Sequence, residues 1–327
     1  MREIKKILFV VHRYPPFQGG SENQVRDIAE ELQSRGHDIW VLAGEHKGDR
    51  NGVHLTSDFN KLLEFWDLII VFGGDVGYQN TALFNAKNLK SPILQLLILP
   101  SESQICLQAL SDVKYLGCDT DADWAHVIKH NVLHKARNVK LSVNQKISIG
   151  VPGFKERFNI KTKKMFLTSG GYWPNKAIPE LVEIFNSLNL EDTTLVVTGY
   201  DNRYSIMPKE SEFVKPFLLE DRNDVLSAMV DSDLYLLHSF SEGFGLVLLE
   251  CMLNNTSWIS RNIAGAATMK CYGAVYNTDE ELKSYLKNFD KLRPNDDVLK
   301  SRRNYVLESR LAKNTADDIL KIINEDK

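Results

Sequence analysis

Apolar and polar positions alternate along this chain in two rhythms. Ile7 to Val11 is an unbroken apolar run, the pattern of a strand buried on both faces. Val25, Ile28, Ala29 and Leu32 then recur at i, i+3, i+4 and i+7, one face of a helix. Ser21 and Gln24 have capping-box spacing at its start, and Gly36 closes it. Asp38 to Ala43 returns as a strand. The alternation continues with a strand over Asp67 to Phe72 opening into Gly73-Gly74, a helix over Tyr78 to Ala86 and a strand over Pro92 to Leu99. A helix over Glu102 to Leu110, a short extended Val113 to Leu116, a helix over Asp121 to Ala136 and a strand over Lys146 to Val151 follow. Such a rhythm predicts a parallel sheet covered by helices.

Pro152 to Lys164 interrupts the pattern. It carries Lys155, Arg157, Lys161, Lys163 and Lys164 with few core residues, and reads as a linker. The alternation then restarts. Met165 to Ser169 reads as a strand, followed by a loop to Asn175, a candidate N-cap. Ile178, Leu181, Val182, Ile184 and Phe185 give the next helix its apolar face. Thr194 to Thr198 is a strand, Glu212 to Leu219 extended, Asp221 to Val230 helical, and Asp233 to His238 and Ser257 to Ser260 are strands. From Asp279 the chain is charged and helical. The division expected is 1–151, a linker 152–164, 165–300, and terminal helices 301–327.

A length of 327 residues suits two domains of ordinary size. A hydrophobic share of 43% with 25% charged residues is globular, and a net charge of −3 provides no field toward nucleic acid. The longest early apolar run, Ile7 to Val11, is too short for a signal peptide or a membrane span, and a cytoplasmic location is expected. Cys106, Cys118, Cys251 and Cys271 have no C-x-x-C pairing and read as free thiols.

The densest candidate chemistry is the stretch His238 to Met252. A strand ends in polar residues, a Gly243-Phe244-Gly245 turn follows, and an apolar helix begins that holds one acid, Glu250. Glu242 sits at the turn, and Glu250 lies about two helical turns deeper. A carboxylate flanked by Leu248, Leu249, Cys251 and Met252 requires hydrogen-bond donors, and vicinal hydroxyls of a ligand are such donors. The glycines admit a ligand to the backbone, and the new helix aims free N–H groups at an anion. The chemistry expected is a sugar joined to a phosphate.

These residues resemble the E-x7-E signature of retaining glycosyltransferases of the GT-B fold, in family four, the glycosyl transferases group 1. Glu242, Gly243, Phe244, Gly245, Leu246 and Glu250 match. His238 stands in the proline place of that pattern and Cys251 in its alanine place. The loop His12 to Gly20 is similar to the amino-terminal signature of the same family through Tyr14, Pro15, Pro16, Gly19, Gly20 and Glu22, with Arg35-Gly36-His37 later. That loop has no G-x-G-x-x-G, which disfavours a dinucleotide enzyme.

The resemblance implies two Rossmann-like α/β domains facing a cleft, with C-terminal helices crossing back to the first. It implies retaining, metal-independent transfer of a sugar from a nucleotide-diphosphate donor to an acceptor hydroxyl, on a glycan or lipid-linked saccharide, with no cofactor. By resemblance, Glu250 accepts from the ribose hydroxyls and Glu242 holds the donor sugar. The amides of Gly243 to Val247 and the ammonium of Lys176 meet the diphosphate, and Gly19 and Gly20 face donor phosphate or acceptor. The family also carries an Arg where Gly171 stands and an acid where Thr268 stands. A charge-assisted hydrogen bond contributes about 1.5–3 kcal/mol, so Arg203, Arg222 and Arg261 are candidates to replace the missing cation. The same departures motivate an alternative, a degenerate protein that binds nucleotide sugar or a partner subunit without turnover.

Two other clusters suggest metal. Asp119-Thr120-Asp121-Ala122-Asp123 contains the D-x-D used by GT-A glycosyltransferases, but precedes a helix where N-capping favours acids. His126, His130 and His134 are spaced by four, opposite Trp124, Ile128 and Val132, and are expected on the solvated face. No metal is assigned to the donor site. Lys135, Arg137 and Lys140 are candidates for weak peripheral contact with a membrane.

Overall fold

A computed structural model describes residues 3–16, 19–44, 47–73, 77–98, 102–170, 172–199, 207–219 and 221–325. The chain forms two compact units, Met1–Asn144 with Arg310–Lys327, and Gln145–Ser309.

The first unit contains an eight-stranded sheet. Its strands are β1 (Lys6–Val10), β2 (Asp38–Leu42), β3 (Gly48–Arg50), β4 (Val53–Thr56), β5 (Leu68–Phe72), β6 (Ile93–Leu96), β7 (Tyr115–Cys118) and β8 (Ala136–Asn138), in the order β3-β4-β2-β1-β5-β6-β7-β8. All pairings are parallel except β3 with β4. β5 is buried along its whole length, as its unbroken Leu-Ile-Ile-Val-Phe requires.

The second unit contains a six-stranded parallel sheet. β9 (Lys164–Ser169), β10 (Thr193–Gly199), β11 (Val214–Leu218), β12 (Leu234–Leu237), β13 (Ser257–Arg261) and β14 (Ala274–Tyr276) run in the order β11-β10-β9-β12-β13-β14. The first strand, β9, lies inside, flanked by the second and the fourth. Strand order reverses there, and ligands of such sheets bind at the carboxyl ends of the strands at that point.

The chain re-enters the first unit at Arg310. Val143 pairs with Leu311, and the helix Ala312–Glu325 packs on the helix Gly20–Ser34, with Arg35 Nη1 2.6 Å from Asp317 Oδ1. The expected return of the terminal helices is met by this last helix. The helix Asp296–Ser309 stays in the second unit.

Several local expectations differ from the structure. The helix Gly20–Ser34 has Gly19 as N-cap without a side-chain cap; Ser21 lies inside the helix, and Gln24 bonds Ser142 instead. The helix from Asp121 ends at Lys129, because Asn131 turns left-handed (φ 58°), and β8 follows. Residues 145–148 form a helical turn where a strand was expected. The basic stretch 152–164, read as a linker, belongs to the second unit. Phe154 is fully buried against Phe158 and Phe217, and the Asp231 carboxylate accepts from the backbone N–H groups of Gly153 and Lys155. Leu99, Gly74 and Ser101 fall outside the described residues. Cys106, Cys118 and Cys251 are buried and Cys271 is exposed, and all four are thiols rather than disulfides.

Candidate active site

The site is assembled on loops that leave the carboxyl ends of β9 and β12. After β9, a turn Pro174–Lys176 delivers Lys176 and is followed by Ala177 in the left-handed region (φ 51°). That conformation costs a residue with a Cβ roughly 1–2 kcal/mol. Burial of Ala177 and of Ile178 behind it offsets the cost. After β12, the loop 238–245 delivers Glu242. Two hydrogen bonds tie the loops together: Phe240 N–H donates to Asn175 O (2.8 Å), and the Asn175 amide donates to Ser241 O (3.3 Å).

Across this junction the Lys176 ammonium and the Glu242 carboxylate form an ion pair through Oε1. Ser239 Oγ donates to the same oxygen at 2.7 Å. Both partners are largely covered, with Lys176 23% and Glu242 16% exposed. Gly245 is the N-cap of the helix Leu246–Leu253 at φ 79°, a conformation suited to glycine, and Phe244 beside it is buried. A Cβ on Gly265 would lie 1.6 Å from Phe244 O, so the helix Ala264–Thr268 packs directly on this turn. Leu248 N–H donates to Gly245 O (2.9 Å), and the amides of Leu246 and Val247 precede the first full turn of the helix, which favours an anion at this end.

Glu250, deeper in the same helix, pairs through Oε1 with Arg222 Nη2. Arg222 opens the helix Arg222–Asp231, whose N-cap is Asp221. Among the three cations considered for the missing family Arg, Arg222 stands on a signature acid. Arg261, at the end of β13, is committed elsewhere: its Nη2 donates to His238 Nε2 (2.9 Å) and lies 3.5 Å from Asp279. Arg203 and Gly171 fall outside the described residues.

His238 is buried, with Nδ1 against the Tyr276 hydroxyl. Since Nε2 accepts from Arg261, Nδ1 carries the proton and donates to Tyr276. Burial first and the Arg261 charge second push the imidazole pKa down from 6.5 to about 4. His238 therefore braces the base of the signature loop as a neutral ring. Nothing in its sequence position indicated Tyr276 or Arg261 as partners.

In the first unit, Gly19 and Gly20 begin the helix Gly20–Ser34, and the Glu22 carboxylate folds back onto Gly19, where a Cβ would meet Oε2 at 2.2 Å. The D-x-D acids have structural partners. Asp119 is buried and pairs with Arg310 while accepting from Leu141 N–H (2.7 Å). Asp123 forms a capping box with Thr120. Burial raises the pKa of both acids. The histidine face differs from the expected one at two positions: His126 is 7% exposed and Ile128 is 58% exposed, whereas Trp124 and Val132 pack on the core and His134 is exposed as expected. Two of the cations considered for a membrane are engaged within the protein. Lys135 Nζ donates to Leu110 O, Ser111 O and Val113 O, and Arg137 pairs with Glu325. No described helix is long and apolar enough to cross a membrane.

With this geometry in view, residues 153–274 match the family described as glycosyl transferases group 1. This segment is similar to the group 1 glycosyltransferases. It spans β9 through β13, Lys176, Glu242 and Glu250. No curated protein sequence matches the chain. Solved structures share the fold of the whole chain, which is GT-B. A sucrose-phosphate synthase from Thermosynechococcus elongatus superposes with a TM-score of 0.77 at 13% identity, covering 98% of both chains. HepE from Anabaena, solved with UDP-glucose, has a TM-score of 0.74 at 14% identity, covering 98% of this chain and 100% of its own. WaaG, a glycosyltransferase of lipopolysaccharide biosynthesis, has a TM-score of 0.71 at 18% identity, covering 95% of this chain and 98% of its own. In this GT-B fold the two acids that resemble the family signature, Glu242 and Glu250, are each paired with a cation.

Proposed function

We propose that the protein transfers a sugar from a nucleotide-diphosphate donor to an acceptor hydroxyl with retention of anomeric configuration and without a metal at the donor. The observation that carries this reading is the pairing of each signature acid with a cation, Lys176 with Glu242 in the turn before one helix and Arg222 with Glu250 within it. Each described contact on these carboxylates falls on Oε1, and Oε2 accepts hydroxyl protons from the donor: ribose at Glu250, sugar at Glu242. As the glycosidic bond breaks, charge grows on the diphosphate. The Lys176 ammonium, the Arg222 guanidinium and the amides of Gly243 to Val247 stabilise it without a cation from solution. Arg222 substitutes in this scheme for the family Arg absent at Gly171. HepE, which shares the fold, was solved with UDP-glucose, and a UDP sugar is the first donor to test. The acceptor proposed is a saccharide or lipid-linked glycan, the class WaaG's role suggests.

The test has two stages. A thermal-shift screen over nucleotide sugars identifies the donor, which raises the melting point by binding the native state. Product analysis by NMR then reads the anomeric configuration, with and without EDTA. Retained configuration and an EDTA-insensitive rate are expected. An inverted product overturns the retaining assignment, and activity lost in EDTA but restored by manganese overturns metal independence. Donor binding with neither transfer nor hydrolysis establishes the non-catalytic alternative.

A further inference from the structure

One cluster in the first unit takes no part in the donor chemistry. Glu102 lies just ahead of the helix Gln104–Asp112. His126 and His130 stand at i and i+4 at the end of the helix Asp121–Lys129, His130 being its C-cap, so their rings project on one side. Their centroids are 4.6 Å apart. His126 Nδ1 is 3.7 Å from Glu102 Oε1, and His130 Nε2 is 3.4 Å from the same carboxylate. One ligand atom from each residue lies within 4.8 Å of the other two.

These separations match a metal geometry. Zinc holds nitrogen and oxygen ligands at about 2.0–2.2 Å in a tetrahedron, which sets neighbouring ligand atoms roughly 3.3–3.5 Å apart. The observed atoms reach that arrangement by small side-chain rotations. Two imidazoles and one carboxylate favour zinc and its late first-row neighbours over magnesium or calcium, which prefer all-oxygen shells. Lys129 Nζ lies 2.6 Å from Glu102 Oε1, the oxygen 3.7 Å from His126 Nδ1, so it competes with a metal for that oxygen.

We propose that Glu102, His126 and His130 form a zinc site, with three protein ligands and water in the remaining position. The ion clips the segment at Glu102 to the end of the helix Asp121–Lys129. His134 is the third histidine of the four-residue spacing, but it lies past the helix end in the turn Leu133–Lys135 and is not a ligand.

The test is calorimetric titration of chelator-stripped full-length protein with zinc chloride, together with melting curves and the visible spectrum of the cobalt(II) form. One equivalent should bind, raise the melting temperature by a few degrees, and give a cobalt spectrum typical of low coordination number. His130→Asn and Glu102→Gln should each weaken binding at least about tenfold. Glu102 is half-exposed, so its variant separates ligand loss from misfolding if His130→Asn is unstable. His134→Ala should bind as the wild type does, and Lys129→Ala equally or more tightly. No binding at millimolar zinc overturns the site. So does binding that survives both Glu102→Gln and His130→Asn, or that is lost in His134→Ala.

Discussion

At the scale of single residues, the kinetic roles of the two ion pairs should separate. Lys176→Ala removes a charge that matters most when the diphosphate is leaving, so kcat should fall on the order of a hundredfold. Glu250→Gln weakens a ribose contact made equally in ground and transition states, so KM should rise more than kcat falls. Steady-state kinetics with the identified donor, after circular dichroism confirms folding, checks both. Wild-type turnover by Lys176→Ala would move the phosphate role to Arg222. His238 carries a separate prediction in pH. Its unfolded imidazole takes a proton near 6.5 and its folded one only near about 4. Between these values the unfolded state binds more protons, and stability falls as pH drops. A shift of this size corresponds to roughly 3 kcal/mol. His238→Gln, which can still meet Tyr276 and Arg261, should flatten this slope. Melting curves of both proteins from pH 7 to 4 test it, because contributions from Asp119 and Asp123 are common to both and cancel.

At the scale of elements, the turn 243–245 depends on a neighbouring helix, Ala264–Thr268. Gly265 brings Ala264–Thr268 into backbone contact with Phe244 O, which cannot rotate away as a side chain would. Gly265→Ala should push the 243–245 turn outward, cost about 1–3 kcal/mol, and weaken donor binding with Glu242 and Glu250 intact. Thermal melting and donor titration of the variant check this; unchanged affinity would mean the turn's position is not critical. Some element-level differences from the sequence reading had readable signals. The hairpin β3–β4 turns at Asn51-Gly52, both at positive φ, an Asn-Gly hairpin signal. The strand β14 had only three residues and no periodicity to show itself.

At the scale of the whole chain, the first unit is discontinuous in sequence, and one buried ion pair helps close it. Arg310 and Asp119 are each about 5% exposed and meet at 2.6 Å. Arg310→Met leaves Asp119 charged in a buried site and should destabilise by about 3–5 kcal/mol. Adding Asp119→Leu should recover part of that loss, though not the hydrogen bond from Leu141 N–H. Urea unfolding of the single and double variants measures the difference. Equal stability of the single variant and the wild type would show that Arg310 does not close the unit.

The local pattern of the chain determined most of its elements and their class, because unbroken apolar strands and helical apolar faces are properties of adjacent residues. Strand, glycine turn and helix around Glu242 and Glu250 were legible for the same reason. Their partners were not. Lys176 reaches Glu242 across 66 positions and Arg222 reaches Glu250 across 28, and no spacing rule links residues on different βα units. The sequence also placed three histidines on a solvated face, whereas the helix stops at Lys129, buries His126 and sets Glu102 beside it. Which side of a short amphipathic helix is buried depends on the surface it packs against. Only the tertiary structure decides that, as it decides which distant charges share a site.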